Sequence, residues 1–335
     1  MNSGISIIPN AIQFGNFVIP FYGLFVFVGI VAFALTSFFI LKHREHVSNE
    51  TLIRLTLISV PALIALYVSA LLFDSIFHSI EEGSFHFGGI TWLGGVLGLF
   101  PVLWVLIHFF VPAGRGKEFE FISYLLPGIV IGHAFGRVGC FFGGCCYGAV
   151  TDLPIGVRYP FGSAAATRYP DMNLEGLASL PVLPTQLFEA GFDGILAIIM
   201  LVLPKKTRVY DFEIYGFAYS VWRFILEFFR GDDRGATGVV ISPSQMMSIL
   251  LFLAAIFTLL MRKGIWIPGY KKRSEYWKAN PIKPKVRKDN QVAAFEQLEE
   301  LKAKGLISEE EYNEKRKQLI DNIGNGGNKN ATENK

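Results

Sequence analysis

An all-α, polytopic membrane protein is predicted by three observations. Hydrophobic residues make up 51% of the 335 positions, 31 of them phenylalanine, and the mean hydropathy is +0.39. Seven stretches are apolar for long enough to cross roughly 30 Å of hydrocarbon. The loops between them carry charge of one sign on one side and of the other sign opposite. Together these exclude a soluble globular domain, and neither a nucleic-acid partner nor a cofactor is expected.

The first span, near 19–41, follows a segment with no Lys, Arg, Asp or Glu between Met1 and Leu41. It lacks the positive start of a cleaved secretion signal and is expected to be retained. Further spans are expected near 53–78, 89–111, 119–138, 185–204, 213–230 and 244–262. Lys42, Arg44, Arg115, Lys117, Lys205, Lys206, Arg208, Arg262, Lys263 and Lys271-Lys272-Arg273 fall on one side, and Glu81, Glu82, Asp232 and Asp233 on the other. The positive-inside rule then places the N-terminus outside and the C-terminus in the cytoplasm, with an odd number of spans between them.

The segment from about 141 to 183 reads as a small extracytoplasmic cap. Pro154, Pro160, Pro170 and Pro181, with Pro184 just beyond, break any long helix there. The transmembrane domain is thus assigned to 1–265, and a basic juxtamembrane linker to 266–291. The last 65 positions hold 26 of the 59 charged residues, so the tail is a second compositional regime. Residues 292–321 read as two short helices around Gly305, with Ser308 and Glu311 forming a capping box and Leu298, Leu301, Leu306, Ile307, Tyr312 and Leu319 as apolar positions. Such a hairpin buries little core alone, so it is expected to dock on a second copy, giving self-association, or on the membrane domain. Residues 322–335, rich in Gly and Asn, are expected to be disordered.

Chemistry-bearing residues gather in three places. Tyr22-Gly23 stands at the outer end of the first span, where a tyrosine also suits the membrane interface. His133 and Arg137 lie four apart in the fourth span, on one helical face. An ionisable residue at that depth costs a few kcal/mol and points to function. Arg137 is expected to hold an anion, and its cation to keep His133 neutral and ready to accept a proton. Glycines from Gly132 to Gly148 suit an irregular segment that aims backbone N–H groups at a phosphate. In the sixth span Arg223, Glu227 and Arg230 put plus, minus, plus on one face. With Arg137 this leaves surplus positive charge, which an anionic ligand would neutralise. An arginine fork suits a phosphodiester.

In these residues the chain resembles the bacterial prolipoprotein diacylglyceryl transferases over roughly 15–265. The resemblance is carried by Phe21-Tyr22-Gly23, Gly94-Gly95, Gly136-Arg137-Val138-Gly139 with Gly148, Pro184-Thr185-Gln186-Leu187-Phe188-Glu189, Tyr215-Gly216 through Arg223, Glu227 and Arg230, and Gln245. It implies a seven-span enzyme of the bacterial plasma membrane. That enzyme takes diacylglyceryl from phosphatidylglycerol, a membrane lipid, to the lipobox cysteine in the signal peptide of a prolipoprotein, and releases glycerol phosphate. Catalysis is expected from Arg137, Arg223, Glu227, His133 and Tyr22, and substrate binding from Arg137, Arg223, Arg230, Gly136, Gly139, Gly148, Gln186 and Glu189. Thiol attack would be an in-line displacement in which Arg137 and Arg223 stabilise the leaving phosphate. Glu227 would orient Arg223, Arg230 would draw in the headgroup, Tyr22 would contribute a hydroxyl, and either His133 would act as the local base or the positive field of the site would lower the thiol's pKa.

The departures from the family pattern keep other readings open. Cys140 and Gly143 stand where the family usually has asparagines, Cys145 where it has a glutamate, Leu93 and Leu183 where it has histidines, and Leu71 where an arginine is common. A paralogue using a phospholipid donor with another acceptor is one alternative. A thiol-redox or metal-handling membrane protein is a second, because Cys140, Cys145 and Cys146 are the only cysteines. Their spacing matches no standard zinc pattern, so no metal is expected, while a Cys140–Cys145 disulfide is open where the compartment is oxidising. A transporter is disfavoured, since the polar residues cluster at the outer ends of the spans.

Overall fold

A computed structural model describes residues 7–14, 17–85, 89–232, 237, 240–280, 288–304 and 306–327. A hairpin of β1 (Ala11–Phe14) and β2 (Phe17–Pro20) opens the chain. The helices follow as α1 (Phe21–Phe39), α2 (Asn49–Glu82), α3 (Trp92–Phe110), α4 (Glu118–Gly143), the short α5 (Ala164–Arg168), α6 (Thr185–Val202), the short α7 (Lys205–Arg208), α8 (Asp211–Leu226), α9 (Pro243–Lys263), α10 (Pro268–Ala279), α11 (Lys288–Ala303) and α12 (Glu309–Gly327). Asp233 and Gly305 lie outside the described residues. The chain divides into two compact units, Met1–Ile282 and Lys283–Lys335.

In the first unit, α1, α2, α3, α4, α6 and α9 are long and apolar enough to cross a membrane. The remaining expected span is α8, whose 16 residues continue as a 3-10 turn over Glu227–Phe229. Helix is the form that spans hydrocarbon because it satisfies every backbone polar group internally. Outward positions stay apolar: Phe27, Leu35, Leu57, Ile64, Ile195 and Val202 are all exposed. Inside, Val96, Ile107, Ile122, Leu126, Val130, Met200, Tyr215 and Met247 are sealed from solvent and join the helices into one core. α1 packs along α4 where Gly29 meets Gly132: a Cβ on Gly29 would sit 2.9 Å from the Gly132 carbonyl. Small residues let two membrane helices approach this closely.

Caps set the helix ends that matter. The Ser242 hydroxyl accepts from Gln245 N at 3.2 Å while Gln245 Oε1 accepts from Ser242 N at 3.0 Å, a capping box that starts α9. Gln245, one of the residues that carried the family resemblance, is therefore a helix-starting residue. Gly264 closes α9 with φ of 77°, just after Arg262 and Lys263.

Three expectations need correction. The glycine-rich stretch is irregular only past Gly143: α4 runs unbroken to that residue, so the N–H groups of Gly132, Gly136, Gly139 and Gly143 are spent within the helix and offer no amide cradle. The stretch assigned to a linker contains α10, started by Pro268 and docked on the turn between α3 and α4. There Ser274 donates to the Gly116 carbonyl, Lys278 pairs with Glu120, and the Arg115 guanidinium lies 5.7 Å from the Trp277 ring centre. In the second unit α12 continues to Gly327, past the expected start of the disordered tail at 322. The capping box there forms as expected, Ser308 Oγ accepting from Glu311 N and Glu311 from Ser308 N, both at 3.1 Å.

Between α4 and α6 the cap is held by isolated bridges, Val150 and Val157 both to Val182, Pro160 to Ala178 and Pro170 to Ser179. Phe141, Tyr147, Tyr159, Ala165 and Val182 give it a core of its own.

Candidate active site

At the cap end of the bundle, buried ionisable side chains of α4 and α6 form one connected chain. His133 Nδ1 is 2.7 Å from Asp193 Oδ2, and His133 Nε2 accepts from Arg137 Nε at 3.0 Å. The same Nε is 3.0 Å from Glu189 Oε2, and Glu189 Oε1 accepts from the Tyr219 hydroxyl of α8 at 2.6 Å. Glu189 and Asp193 are fully buried, and Arg137 is 7% exposed. The pattern assigns the histidine proton to Nδ1, facing Asp193, because Nε2 faces a donor. Trp92 stacks on the imidazole at 4.1 Å between ring centres, and Tyr219 meets it edge-on. The indole Nε1 of Trp92 reaches the Tyr215 hydroxyl at 3.3 Å.

Helical spacing builds this arrangement. His133 and Arg137 are four apart on α4, Glu189 and Asp193 four apart on α6, and packing the two helices puts each pair opposite the other. A buried charge without a partner would cost several kcal/mol, so the match is required for folding. It also leaves the two terminal nitrogens of Arg137 without a hydrogen bond among the described residues, and they are not sealed off. A planar pair of donors is thereby held ready by a carboxylate behind it.

The other arginines are committed. Arg223 Nη1 lies 2.7 Å from Glu227 and its Nη2 donates to Ser244 at 2.8 Å. Arg230 makes a fork to Asp232, Nε to Oδ1 and Nη2 to Oδ2, both at 2.7 Å, with a side chain 2% exposed. The expected surplus of positive charge is therefore absent. Each of these three arginines has a carboxylate, and the plus, minus, plus reading overlooked Asp232 because it lies beyond the helix. Burial pushes the Asp232 carboxyl up to about 6, against the pull of Arg230.

The remaining predicted residues divide between scaffold and site. Gln186 is buried and spends its amide on the Cys145 carbonyl at 2.6 Å and the Tyr159 hydroxyl at 3.2 Å. Gly148 is wedged: a Cβ there would come 2.7 Å from both the Leu183 Cβ and the Phe229 carbonyl. Its backbone pairs with Arg230, so it positions that arginine. Gly139 lets α1 approach, with Tyr22 O 3.2 Å from where a Cβ would stand. Gly136 has open space beside it, one residue before Arg137. Tyr22 is 43% exposed and packs along Gly143, and its hydroxyl has no hydrogen bond among the described residues.

Asp193, Tyr219, Trp92 and Ser244 were not anticipated as site residues. Asp193 had a legible signal, an acid in an apolar span four residues after Glu189.

These features define a polytopic membrane protein with an ionic site buried at one end of its helix bundle. The prolipoprotein diacylglyceryl transferase family model matches residues 9–261, so the chain belongs to that family, and the short C-terminal domain model matches 293–320. Relatives named phosphatidylglycerol–prolipoprotein diacylglyceryl transferase include one from Dehalococcoides mccartyi strain BAV1, 29% identical over 260 residues, 75% of this chain and 92% of the relative. Another, from Francisella tularensis subsp. mediasiatica, is 30% identical over 283 residues, 80% of this chain and 96% of the relative. A relative from Clostridium perfringens strain 13, whose name carries the suffix 2, is 32% identical over 202 residues, covering 60% and 69%.

Proposed function

We infer that this chain transfers diacylglyceryl from phosphatidylglycerol to the lipobox cysteine of prolipoproteins. The observation that carries the reading is the terminal fork of Arg137, backed by Glu189 and open on its far side. A phosphodiester oxygen is the natural partner for two parallel N–H donors. The family membership and the names of the relatives support the same substrates.

The reaction forms a C–S thioether bond and breaks the C–O bond between the glyceryl carbon and phosphate, whose oxygen leaves with the electron pair as glycerol phosphate. Arg137 strengthens its hold as that negative charge develops. The thiol proton goes to His133 Nε2 once Arg137 Nε turns fully to Glu189. The resulting imidazolium would lie between Asp193, at 2.7 Å from Nδ1, and Glu189, at 4.0 Å from Nε2. Two carboxylates thus offset the neighbouring Arg137 cation. Arg223 is fixed by Glu227 and Ser244, and Glu227 offsets its charge, so its part is to hold the wall of the site in place. The cap end faces outward, with the N-terminus outside and the C-terminus in the cytoplasm, as the loop charges require. Residues 292–321 offer the exposed Leu301 and Leu306 as contacts for a second copy.

The test is transfer by purified protein in phosphatidylglycerol nanodiscs, using a lipobox peptide and acyl-labelled lipid. The expected result is a diacylglyceryl mass gain on the peptide and one glycerol phosphate released per peptide modified. Glycerol phosphate release without peptide modification would move the acceptor elsewhere, and neither product from folded protein would contradict the reading.

A further inference from the structure

We propose that Cys140, Cys145 and Cys146 form a three-sulfur site for a thiophilic metal ion, monovalent copper. Their sulfurs lie within 4.8 Å of one another. Three sulfurs around one ion at about 2.3 Å would stand about 4 Å apart, so the observed spread needs only a small contraction.

The backbone builds this cluster. α4 ends at Gly143, Gly144 turns the chain back with φ of 65°, and Cys146 itself adopts a left-handed φ of 59°. For a non-glycine residue that conformation is uncommon. Two buried side chains of α6 pin the turn, Gln186 at the Cys145 carbonyl and Thr185 at the Cys146 carbonyl, the latter at 3.0 Å. Cys145 N donates back to the Cys140 carbonyl at 3.3 Å, and its sulfur lies 3.8 Å from the same oxygen. None of the three is in a disulfide, and all are partly accessible. The fold thus holds three soft ligands in place before any ion arrives, the arrangement a binding site needs.

The ligand count selects the ion. Among the described residues no histidine, carboxylate or further cysteine completes the group. His133 turns one nitrogen to Asp193 and accepts from Arg137 at the other. Structural zinc takes four protein ligands, whereas soft thiolates alone suit monovalent copper. Each thiol that ligates releases its proton to solvent, so binding is an exchange of copper for protons with no redox step.

The test titrates copper(I), under reducing conditions and against a chromophoric chelator, into the detergent-solubilised protein and the variants Cys140→Ser, Cys145→Ser and Cys146→Ser. Expected are one copper per wild-type chain, an X-ray absorption spectrum with three sulfur neighbours, and at least a 100-fold loss of affinity in each variant whose elution and melting match the metal-free wild type. Should the variants fail to fold, alkylation of wild type followed by mass spectrometry replaces them, and stoichiometric copper is expected to protect all three thiols. Copper held no better than by the triple serine variant, a nitrogen or oxygen shell, or unprotected thiols would overturn the proposal.

Discussion

The two ends of the helix bundle both bury ion pairs, and they use them differently. At the basic end the ties between neighbouring elements are short, of two or three groups each. Arg262 grips Glu213 through Nη1 at 2.9 and 3.0 Å and stacks 4.4 Å from the Tyr210 ring centre, while His108 meets Glu118 at 2.6 Å and Lys205 and Arg208 meet Glu45 at 3.1 and 3.2 Å. At the cap end Asp193, His133, Arg137, Glu189 and Tyr219 form one line across three helices that stops at two unengaged donors. A closed pair can only stabilise. An open line can receive a ligand and move a proton.

The sharpest way to break that contrast is to truncate one arginine at each end. Arg137→Ala is expected to lower transfer by at least about 100-fold, the scale of a lost transition-state donor. Arg262→Ala should leave turnover per folded molecule unchanged while costing about 3 kcal/mol of stability, because Glu213 stays buried without its partner. Equal losses of turnover in the two variants would erase the distinction.

Asp193→Asn probes the far end of the line. It keeps the shape and removes the charge that supports an imidazolium, so kcat is expected to fall about 10-fold to 100-fold with little change in KM. The acidic limb of the rate against pH should shift as well. An unaltered pH profile would make Asp193 a packing residue only.

How legible this site was depended on whether partners shared a helix. His133 with Arg137, and Arg223 with Glu227, were visible because a spacing of four is a contact on any helix. Glu189 was visible from the family motif, yet its meeting with Arg137 crosses from α6 to α4 and has no signature along the chain. The spans were legible because hydropathy measures what the bilayer demands, and α8 fits despite its 16 residues. The helicity of the glycine-rich stretch was not. Isolated propensity disfavours glycine in a helix by about 1 kcal/mol, but close packing against α1 repays it.

Smaller effects separate the glycines. Gly148→Ala would push a methyl against Leu183 and the Phe229 carbonyl, so a loss of about 1–3 kcal/mol is expected from thermal melts, with weaker transfer as Arg230 shifts. Gly136→Ala, facing open space, should leave the melt unmoved and change transfer only a few-fold. A destabilised Gly136→Ala would show that this side is closed.

The smallest effect concerns pH. The Asp232 carboxyl, raised to about 6 from an ordinary 3.8, takes up its proton as pH falls through 6. The folded state then binds the proton more tightly than the unfolded one, so stability rises as pH falls through that window and is lost as pH climbs back. Protonation also releases Arg230 from its counter-charge. Phosphatidylglycerol, ionised throughout, is expected to bind a few-fold more tightly at pH 5.5 than at 7.5, and Asp232→Asn should flatten that dependence.

The central claim is that Arg137 holds the phosphate that leaves, and single-turnover transfer in nanodiscs tests it most directly. Arg137→Lys keeps a positive charge while removing the fork, and its fold is checked by elution and melting. The account predicts a rate at least about 10-fold below wild type for Arg137→Lys, and lower still for Arg137→Ala. Wild-type rates in both folded variants would contradict it.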